Sequence, residues 1–161
     1  MAIKVGDTLP LEIKVKEMGE SGPKDVTIGE ITRGKRIVLF AVPGAFTPTC
    51  SNKHLPGYVN GVSGLKGKGV DEIACISVND AFVMDAWGKA QGTAGKVRML
   101  ADGNGDFTRA VGLALDASGF GMGSRSQRYA MVVKDGKVEQ LHVEPGPGLN
   151  VSACEFVAGK L

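Results

Sequence analysis

Short apolar runs alternate with segments of helical spacing along most of the chain. The runs over residues 36–42, 73–78 and 97–101 are rich in aliphatic and β-branched side chains and predict buried strands. Apolar positions recur at helical spacing over residues 82–90 and 106–115, which predicts two amphipathic helices. Strands that alternate with helices in this way predict an α/β fold.

The second half of the chain carries the clearest local signal, a β-hairpin. Residues 128–134 and 137–143 alternate in polarity, and the dipeptide Asp135-Gly136 between them is typical of a two-residue turn. A hairpin adds antiparallel strands to the parallel ones, so the sheet is predicted to be mixed.

The order of the predicted elements indicates one domain over residues 1–161. A closing helix is predicted over residues 151–161, with Ser152 as its cap. Helices on a mixed central sheet form an α/β sandwich, and the order matches a thioredoxin-like domain. Residues 7–31 would then be an added N-terminal hairpin. No internal repeat or linker divides the chain, and 161 residues suit one domain.

Charge and composition remove several classes of function. Lys plus Arg number 19 and Asp plus Glu 17, so the net charge is only +2 and the charges are scattered. This balance argues against nucleic acid or an anionic membrane as a partner. No apolar leader or membrane span is visible, so a cytoplasmic location is expected. Three cysteines without a Cys-x-x-Cys pair favour neither a disulfide framework nor a zinc site, and no metal or other cofactor is implied.

Cys50 lies where a helix is predicted to begin, directly after the first buried strand. Thr47 is a good cap and Pro48 is favoured at the first helical position, which places Cys50 third in the helix. Free backbone N–H groups at a helix start favour an anion, and they lower the pKa of cysteine thiols from ~8.5 toward ~3.5–7.5. The helix should run toward Tyr58 or Asn60, with Pro56-Gly57 kinking or shortening it. Cys50 is therefore a candidate nucleophile, although a cysteine there can also be a small buried filler.

Four stretches of the sequence resemble one family, the peroxiredoxins. The run Val42 to Ser51 resembles their active-site loop, Pro-x-x-x-Thr-x-x-Cys. Residues 54–57, 77–83 and 128–133 are similar to the type II, or peroxiredoxin-five, subfamily. The four stretches occur in the expected order, and the resemblance extends over nearly the whole chain.

The resemblance implies a thiol peroxidase that reduces hydrogen peroxide, alkyl hydroperoxides and peroxynitrite. Cys50 would be oxidised to a sulfenic acid. Thr47 would hydrogen-bond the thiolate or the peroxide, and Pro43 would shield the thiolate from water. Arg128 would hold the thiolate and polarise the peroxide, with Arg125 as the competing choice. An anionic nucleophile and donors aimed at the developing negative charge are what O–O cleavage needs.

Secondary roles follow for several neighbours. The backbone N–H groups of Thr49 and Cys50 would complete the peroxide-binding site. Phe120 and Met122, in a glycine-rich segment, would form an apolar rim for alkyl peroxides. His54 is expected to pack or hydrogen-bond near the site rather than to act directly.

Turnover requires a thiol that reduces the sulfenic acid, and the sequence leaves its source open. Cys75 is the internal candidate for a resolving cysteine, since plant members of the subfamily carry one at the matching place. Cys154 lies near the position used by animal members but not on it. The remaining option is a one-cysteine cycle, in which glutathione and glutaredoxin, or thioredoxin, act from outside. The resemblance also implies a homodimer formed near the active-site loops.

Three other functions stay open at this point. A thioredoxin-like disulfide exchanger needs a second cysteine, but Thr47 stands where that residue would lie. A cysteine hydrolase needs a base, and only His54 and His142 are available without a recognised signature. A redox sensor on the same fold needs the same reactive thiol, so slow turnover would be its mark.

Overall fold

The computed structural model describes all 161 residues and contains one seven-stranded sheet with helices on both faces. The strands are β1 Lys14–Gly19, β2 Gly22–Thr27, β3 Arg36–Ala41, β4 Glu72–Ser77, β5 Arg98–Ala101, β6 Ala114–Asp116, β7 Ser124–Ser126, β8 Tyr129–Lys134 and β9 Lys137–Val143. The helices are α1 Ile28–Thr32, α2 Leu55–Lys66, α3 Ala81–Gln91, α4 Asp106–Ala110 and α5 Cys154–Gly159. None of these helices combines the length and the apolar character needed to cross a bilayer.

The sheet order is β2-β1-β5-β4-β3-β8-β9. Strands β3, β4 and β5 run parallel, whereas β8 and β9 run antiparallel to their neighbours, so the predicted mixed sheet is confirmed. The predicted N-terminal hairpin is also present as β1 and β2, and it joins the edge of the sheet beside β5. The strands β6 and β7, which the sequence patterns did not predict, form a separate two-stranded sheet.

Two apolar layers form the core, one on each face of the sheet. Along β3, Val38 and Phe40 face one layer, while Ile37 and Leu39 face the other. This alternation is the two-residue period of a strand that is buried on both faces. The layer with Phe40 also holds all three cysteines, whose positions are Cys50, Cys75 and Cys154.

The predicted turn between β8 and β9 is present. Asp135 and Gly136 both have positive φ, at 48° and 83°, as a type I′ turn requires. Asp135 uses its side chain as well, because Oδ1 accepts a hydrogen bond from the N–H of Gly34 at 2.7 Å.

The helix predicted over residues 106–115 is wrong in its second half, because α4 ends at Ala110. Gly112 has a φ of +72°, and a Cβ there would lie 2.5 Å from the carbonyl oxygen of Met1. The close approach of the N-terminal segment therefore requires glycine, and the left-handed residue ends the helix. The next residues continue as β6.

The helix after Cys50 is longer than predicted. Helical geometry begins at Pro48, passes through a π-helical turn over Cys50–His54, and continues as α2 to Lys66. Pro56 does not end it. A proline inside a helix removes one N–H donor and crowds the carbonyl four residues earlier. Here the N–H of Leu55 bonds to the carbonyl of Cys50, and this wider turn lies directly before Pro56.

The closing helix is shorter than predicted, and Ser152 does not cap it. Helix α5 begins at Cys154, and Ala153 is its capping residue without a side-chain bond. Ser152 Oγ instead donates to Glu144 Oε2 at 2.6 Å. Helix α5 packs on α2 at Gly61, where an added Cβ would lie 2.4 Å from Cys154 Sγ.

The contact between α2 and α5 predicts opposite effects for two glycines of the same helix. Gly64→Ala should stabilise the fold by about 0.5–1 kcal/mol, because Gly64 is exposed with open space around it. Gly61→Ala should destabilise it by about 1–3 kcal/mol, because the new methyl group collides with Cys154. Urea unfolding measures both values. Equal effects at the two positions would contradict the packing described here.

Candidate active site

The candidate site lies at the end of β3, and strand register explains how distant residues meet there. Cys50 follows β3 and has no exposed surface. Tyr129 at the start of β8 pairs with Ala41 at the end of β3. Arg128, one residue earlier, therefore lies beside the segment that leads to Cys50, although the two are separated by 78 residues in sequence.

Arg128 contacts the thiol directly. Its Nη2 donates to Cys50 Sγ at 3.1 Å, and only 8% of the residue is exposed. Arg125, the competing choice, makes no such contact. Arg125 Nε donates to the carbonyl of Met122 at 2.9 Å, and Nη1 donates to the carbonyl of Pro43 at 3.4 Å. Arg125 thus links the segment of Met122 to that of Pro43, while Arg128 faces the sulfur.

His54 lies behind Arg128 and is neutral. Its Nδ1 accepts from Arg128 Nη1 at 2.8 Å, and its Nε2 lies 3.0 Å from the carbonyl oxygen of Ser152. A carbonyl only accepts, so the ring hydrogen is on Nε2 and the Nδ1 lone pair faces the guanidinium. Burial, and then the charge of Arg128, lowers the pKa of His54 to about 3. His54 is therefore a hydrogen-bond partner of Arg128 and not a base for Cys50, as expected from its position in the sequence.

Thr47 and the first helical turn present the remaining polar groups. Thr47 immediately precedes the helix, as predicted, but its hydroxyl donates to the carbonyl of Gly44 at 2.7 Å. With its single hydrogen used, the Thr47 oxygen can only accept a further bond. The N–H groups of Thr49 and Cys50 donate to no acceptor in the chain. The site therefore offers one acceptor and two free donors beside the thiol.

A cavity of about 570 Å³ opens beside these groups. Pro43, Thr47, Thr49 and Arg128 line its inner part, and the strongly exposed Phe120 forms part of its rim. The cavity is mainly apolar and much larger than hydrogen peroxide. Its walls can therefore contact the organic part of a larger peroxide.

The two other cysteines lie in the same apolar layer as Cys50 but are poor nucleophiles. Cys75 lies in the middle of β4 opposite Phe40, with no exposed surface. Burial raises the pKa of Cys75 well above its usual value, and it raises the pKa of Cys154 to about 11. All three cysteines are free thiols.

Sequence reasoning missed several groups that support the site. Trp87 on α3 donates its indole N–H to Ser51 Oγ at 3.0 Å, which ties α3 to the helix start. Tyr58 donates to the carbonyl of Ser152 at 2.7 Å, and Glu144 binds Ser152 in turn. These contacts join segments that are far apart in sequence, so no local pattern indicates them.

The comparisons with known proteins agree with this geometry. The Redoxin family profile matches residues 4–156. Peroxiredoxin-2E, a chloroplastic protein of Arabidopsis thaliana, is 48% identical over 157 residues, which cover 96% of this chain and 67% of that protein. The chain belongs to the peroxiredoxins. As a peroxiredoxin it is a thiol-dependent peroxidase, and the family resemblance seen in the sequence is confirmed.

Solved peroxiredoxin structures share the whole fold. Reduced Prx3 from Vibrio vulnificus in complex with H₂O₂ has a TM-score of 0.93 and 50% identity, covering 98% of each chain. Peroxiredoxin 5 from Alvinella pompejana has a TM-score of 0.79 and 45% identity, covering 89% of this chain and 90% of that one. The predicted thioredoxin-like sandwich is therefore confirmed.

The buried neutral state of His54 predicts a pH dependence of this peroxiredoxin's stability. The pKa of His54 is about 3 in the fold against 6.5 for the free side chain, so only the unfolded chain takes up this proton between those values. The stability that the neutral state of His54 contributes is fully present above about pH 6.5 and is lost as the pH falls toward 3. In urea unfolding from pH 7 to 4, His54→Gln should lower the pH slope by up to about 1.4 kcal/mol per pH unit.

His142→Gln is the control for this experiment. His142 is partly exposed, and burial lowers its pKa without the large shift of His54. Its replacement should change the slope less. The carboxylates titrate alike in all three proteins, so an unchanged slope in His54→Gln would contradict the neutral assignment.

Proposed function

We propose that Cys50 is the peroxidatic residue and that it reduces hydrogen peroxide and alkyl hydroperoxides as a thiolate. The observation that carries this proposal is the 3.1 Å bond from Arg128 Nη2 to Cys50 Sγ inside the apolar layer. A buried guanidinium favours the anionic form of the group beside it, and the thiolate is the reactive form of cysteine.

The chemical step transfers one oxygen atom from the peroxide to the sulfur of Cys50. The Cys50 thiolate attacks the OH oxygen of the hydroperoxide, the S–O bond forms and the O–O bond breaks. The sulfur is oxidised to a sulfenic acid, and the peroxide is reduced to an alkoxide or hydroxide, which takes a proton from solvent. Thr47 accepts the hydrogen bond of the peroxide OH. Arg128 and the N–H groups of Thr49 and Cys50 stabilise the charge that develops on the departing oxygen.

Pro43 and Phe120 complete the proposed substrate site. Pro43 lines the inner cavity and is held there by the bond from Arg125 to its carbonyl, so it can exclude water from Cys50. Phe120 and Met122 stand on the outer wall, where an alkyl group of the substrate would lie.

We infer a one-cysteine cycle in which an external thiol restores Cys50. This is supported by the surroundings of Cys75 and Cys154, since burial raises the pKa of both thiols and a protonated thiol resolves a sulfenic acid slowly. The incoming thiol forms a disulfide with Cys50 and releases water, and a second thiol then reduces that disulfide. Glutathione with glutaredoxin, or thioredoxin, supplies thiols of this kind.

The same proposal includes a homodimer and a reducing, cytoplasmic compartment. Three large aromatic side chains, Phe46, Phe82 and Phe120, are 56%, 67% and 85% exposed, and Phe120 also lines the cavity of the site. Exposed aromatic side chains are typical of an interface between chains. Free thiols in every cysteine position fit a reducing compartment.

Mass spectrometry of the oxidised protein tests the one-cysteine cycle. After one equivalent of hydrogen peroxide with dimedone present, wild type and Cys75→Ser should both carry a dimedone adduct on Cys50. Cys50→Ser should carry none, and its peroxidase activity should be lost. A wild-type mass lower by about two units, with the adduct appearing only in Cys75→Ser, would show that Cys75 resolves instead.

The variant Phe120→Ala should affect the reaction with alkyl hydroperoxides but not the reaction with hydrogen peroxide. Phe120 is 85% exposed, so its truncation leaves the fold intact. We expect the second-order rate constant for cumene hydroperoxide to fall about fivefold, the effect of losing ~1 kcal/mol of apolar contact, while that for hydrogen peroxide is unchanged. Stopped-flow kinetics measures both constants, and Leu115→Ala on the same wall is the matched variant. Equal losses for both substrates would remove Phe120 from the substrate site.

A further inference from the structure

The carbonyl of Ser152 is the point on which the groups behind Arg128 converge. It lies 3.0 Å from His54 Nε2 and 2.7 Å from the hydroxyl of Tyr58, and all three residues are buried. Two donors to one carbonyl fix the orientation of both rings. His54 in turn accepts a hydrogen bond from Arg128. A change in the position of this carbonyl is therefore transmitted to the guanidinium through the side chain of His54.

Glu144 holds the segment that carries this carbonyl. One carboxylate oxygen, Oε2, accepts from the N–H of Asn150 at 2.8 Å, the N–H of Ser152 at 2.9 Å and Ser152 Oγ at 2.6 Å. Burial raises the pKa of Glu144, but the hydrogen bonds from Ser152 and Asn150 outweigh it and the net direction is downward. Glu144 is therefore ionised at neutral pH, although only 6% of it is exposed.

The backbone of Glu144 also holds Arg128. The N–H of Glu144 donates to the carbonyl of Arg128 at 2.9 Å. Glu144 thus fixes Arg128 through its main chain and fixes the partner of Arg128 through its side chain. Neither carboxylate oxygen of Glu144 bonds to Arg128, so the carboxylate does not compete with Cys50 for the guanidinium.

We propose that Glu144 is a positioning residue for the peroxidase site, acting through Ser152 and His54 on the orientation of Arg128. The inference rests on the proposed roles of Cys50 and Arg128.

The tautomer of His54 is the physical link in this chain of contacts. With the Ser152 carbonyl in place, the ring hydrogen stays on Nε2 and Nδ1 accepts from Arg128. If the carbonyl moves, the hydrogen can shift to Nδ1, where two donors would face each other. Arg128 would then turn away, and Cys50 would lose the hydrogen bond that favours its thiolate.

The unused oxygen of Glu144 suggests the conservative variant. Oε1 is buried without a partner, so all three donors depend on Oε2 alone. Glu144→Gln can still place its amide oxygen at that point, whereas Glu144→Ala removes every acceptor. Asp102 provides a matched control, because it is also buried and accepts from two N–H groups and one hydroxyl, but it makes no bond to the site.

The test follows the alkylation of Cys50 by iodoacetamide as a function of pH, read by peptide mass mapping, together with the rate of reaction with hydrogen peroxide. Glu144→Ala should shift the alkylation midpoint upward, in the same direction as Arg128→Ala, and slow the peroxide reaction about tenfold. Glu144→Gln should remain within about threefold of wild type. Asp102→Ala should lose stability but keep the wild-type midpoint and rate. A wild-type midpoint in folded Glu144→Ala, or an equal shift in Asp102→Ala, would overturn the proposal.

A second measurement needs no destabilising variant. Nitrogen-15 NMR of the histidine rings in the wild-type protein should show His54 as the Nε2–H tautomer at neutral pH, and an Nδ1–H tautomer would overturn the proposal. Alkylation and NMR do not involve peroxide. If the peroxidase roles were wrong, activity would be absent while the alkylation midpoint still responded to Glu144.

Discussion

A buried guanidinium without a carboxylate partner is the constraint on which the site depends. Arg128 forms no ion pair within the chain, and its side-chain partners are the neutral His54 and the sulfur of Cys50. An uncompensated charge in an apolar layer is costly, so the arrangement favours a negative charge on the only group that can supply one in contact. In the proposed mechanism the thiolate of Cys50 supplies that negative charge.

The sheet supplies the rigidity that such a charge requires. Antiparallel pairing of β3 with β8 fixes Arg128 relative to the loop that carries Cys50, because Arg128 immediately precedes Tyr129, the loop follows Ala41, and Tyr129 pairs with Ala41. Behind Arg128, His54 and Tyr58 come from the helix after Cys50 and bond to the Ser152 carbonyl. Glu144, which follows the end of β9, holds Ser152, so the second antiparallel strand adds further support. The reactive groups therefore stand on strand ends and on one helix start, where small shifts of the backbone are resisted from several sides.

The sequence patterns predicted what depends on local chemistry. The β-branched run of β3 and the dipeptide Asp135-Gly136 each produced the element expected, because burial and a positive φ leave few alternatives. The helix predicted over residues 106–115 is wrong in its second half because Gly112 packs against the N-terminal segment. Helical spacing in the sequence carries no information about that contact. The π-helical turn was not predicted either. The sequence indicated only that Pro56 would kink or shorten the helix, which instead continues to Lys66.

For the candidate site, too, the local features were predictable from the sequence and the long-range contacts were not. A start-of-helix cysteine was visible locally, and the family resemblance named Arg128 over Arg125, in agreement with the contact to Cys50. Glu144 and Ser152 were not predicted as part of the site, because a glutamate before proline in a loop looks like an ordinary solvated charge. Only the folded structure shows that this carboxylate is buried and that one of its oxygens accepts three hydrogen bonds.

The bond from Thr47 to the carbonyl of Gly44 has a consequence for molecular recognition. Because the hydroxyl hydrogen is already donated to that carbonyl, the threonine oxygen can hydrogen-bond only to a molecule that is itself a donor. A dialkyl peroxide has the same weak O–O bond as a hydroperoxide but lacks that hydrogen. It would offer no hydrogen to the threonine oxygen, so the complex would lose that hydrogen bond. In the proposed mechanism, this one internal hydrogen bond selects substrates that carry an O–H group, so a weak O–O bond alone is not sufficient.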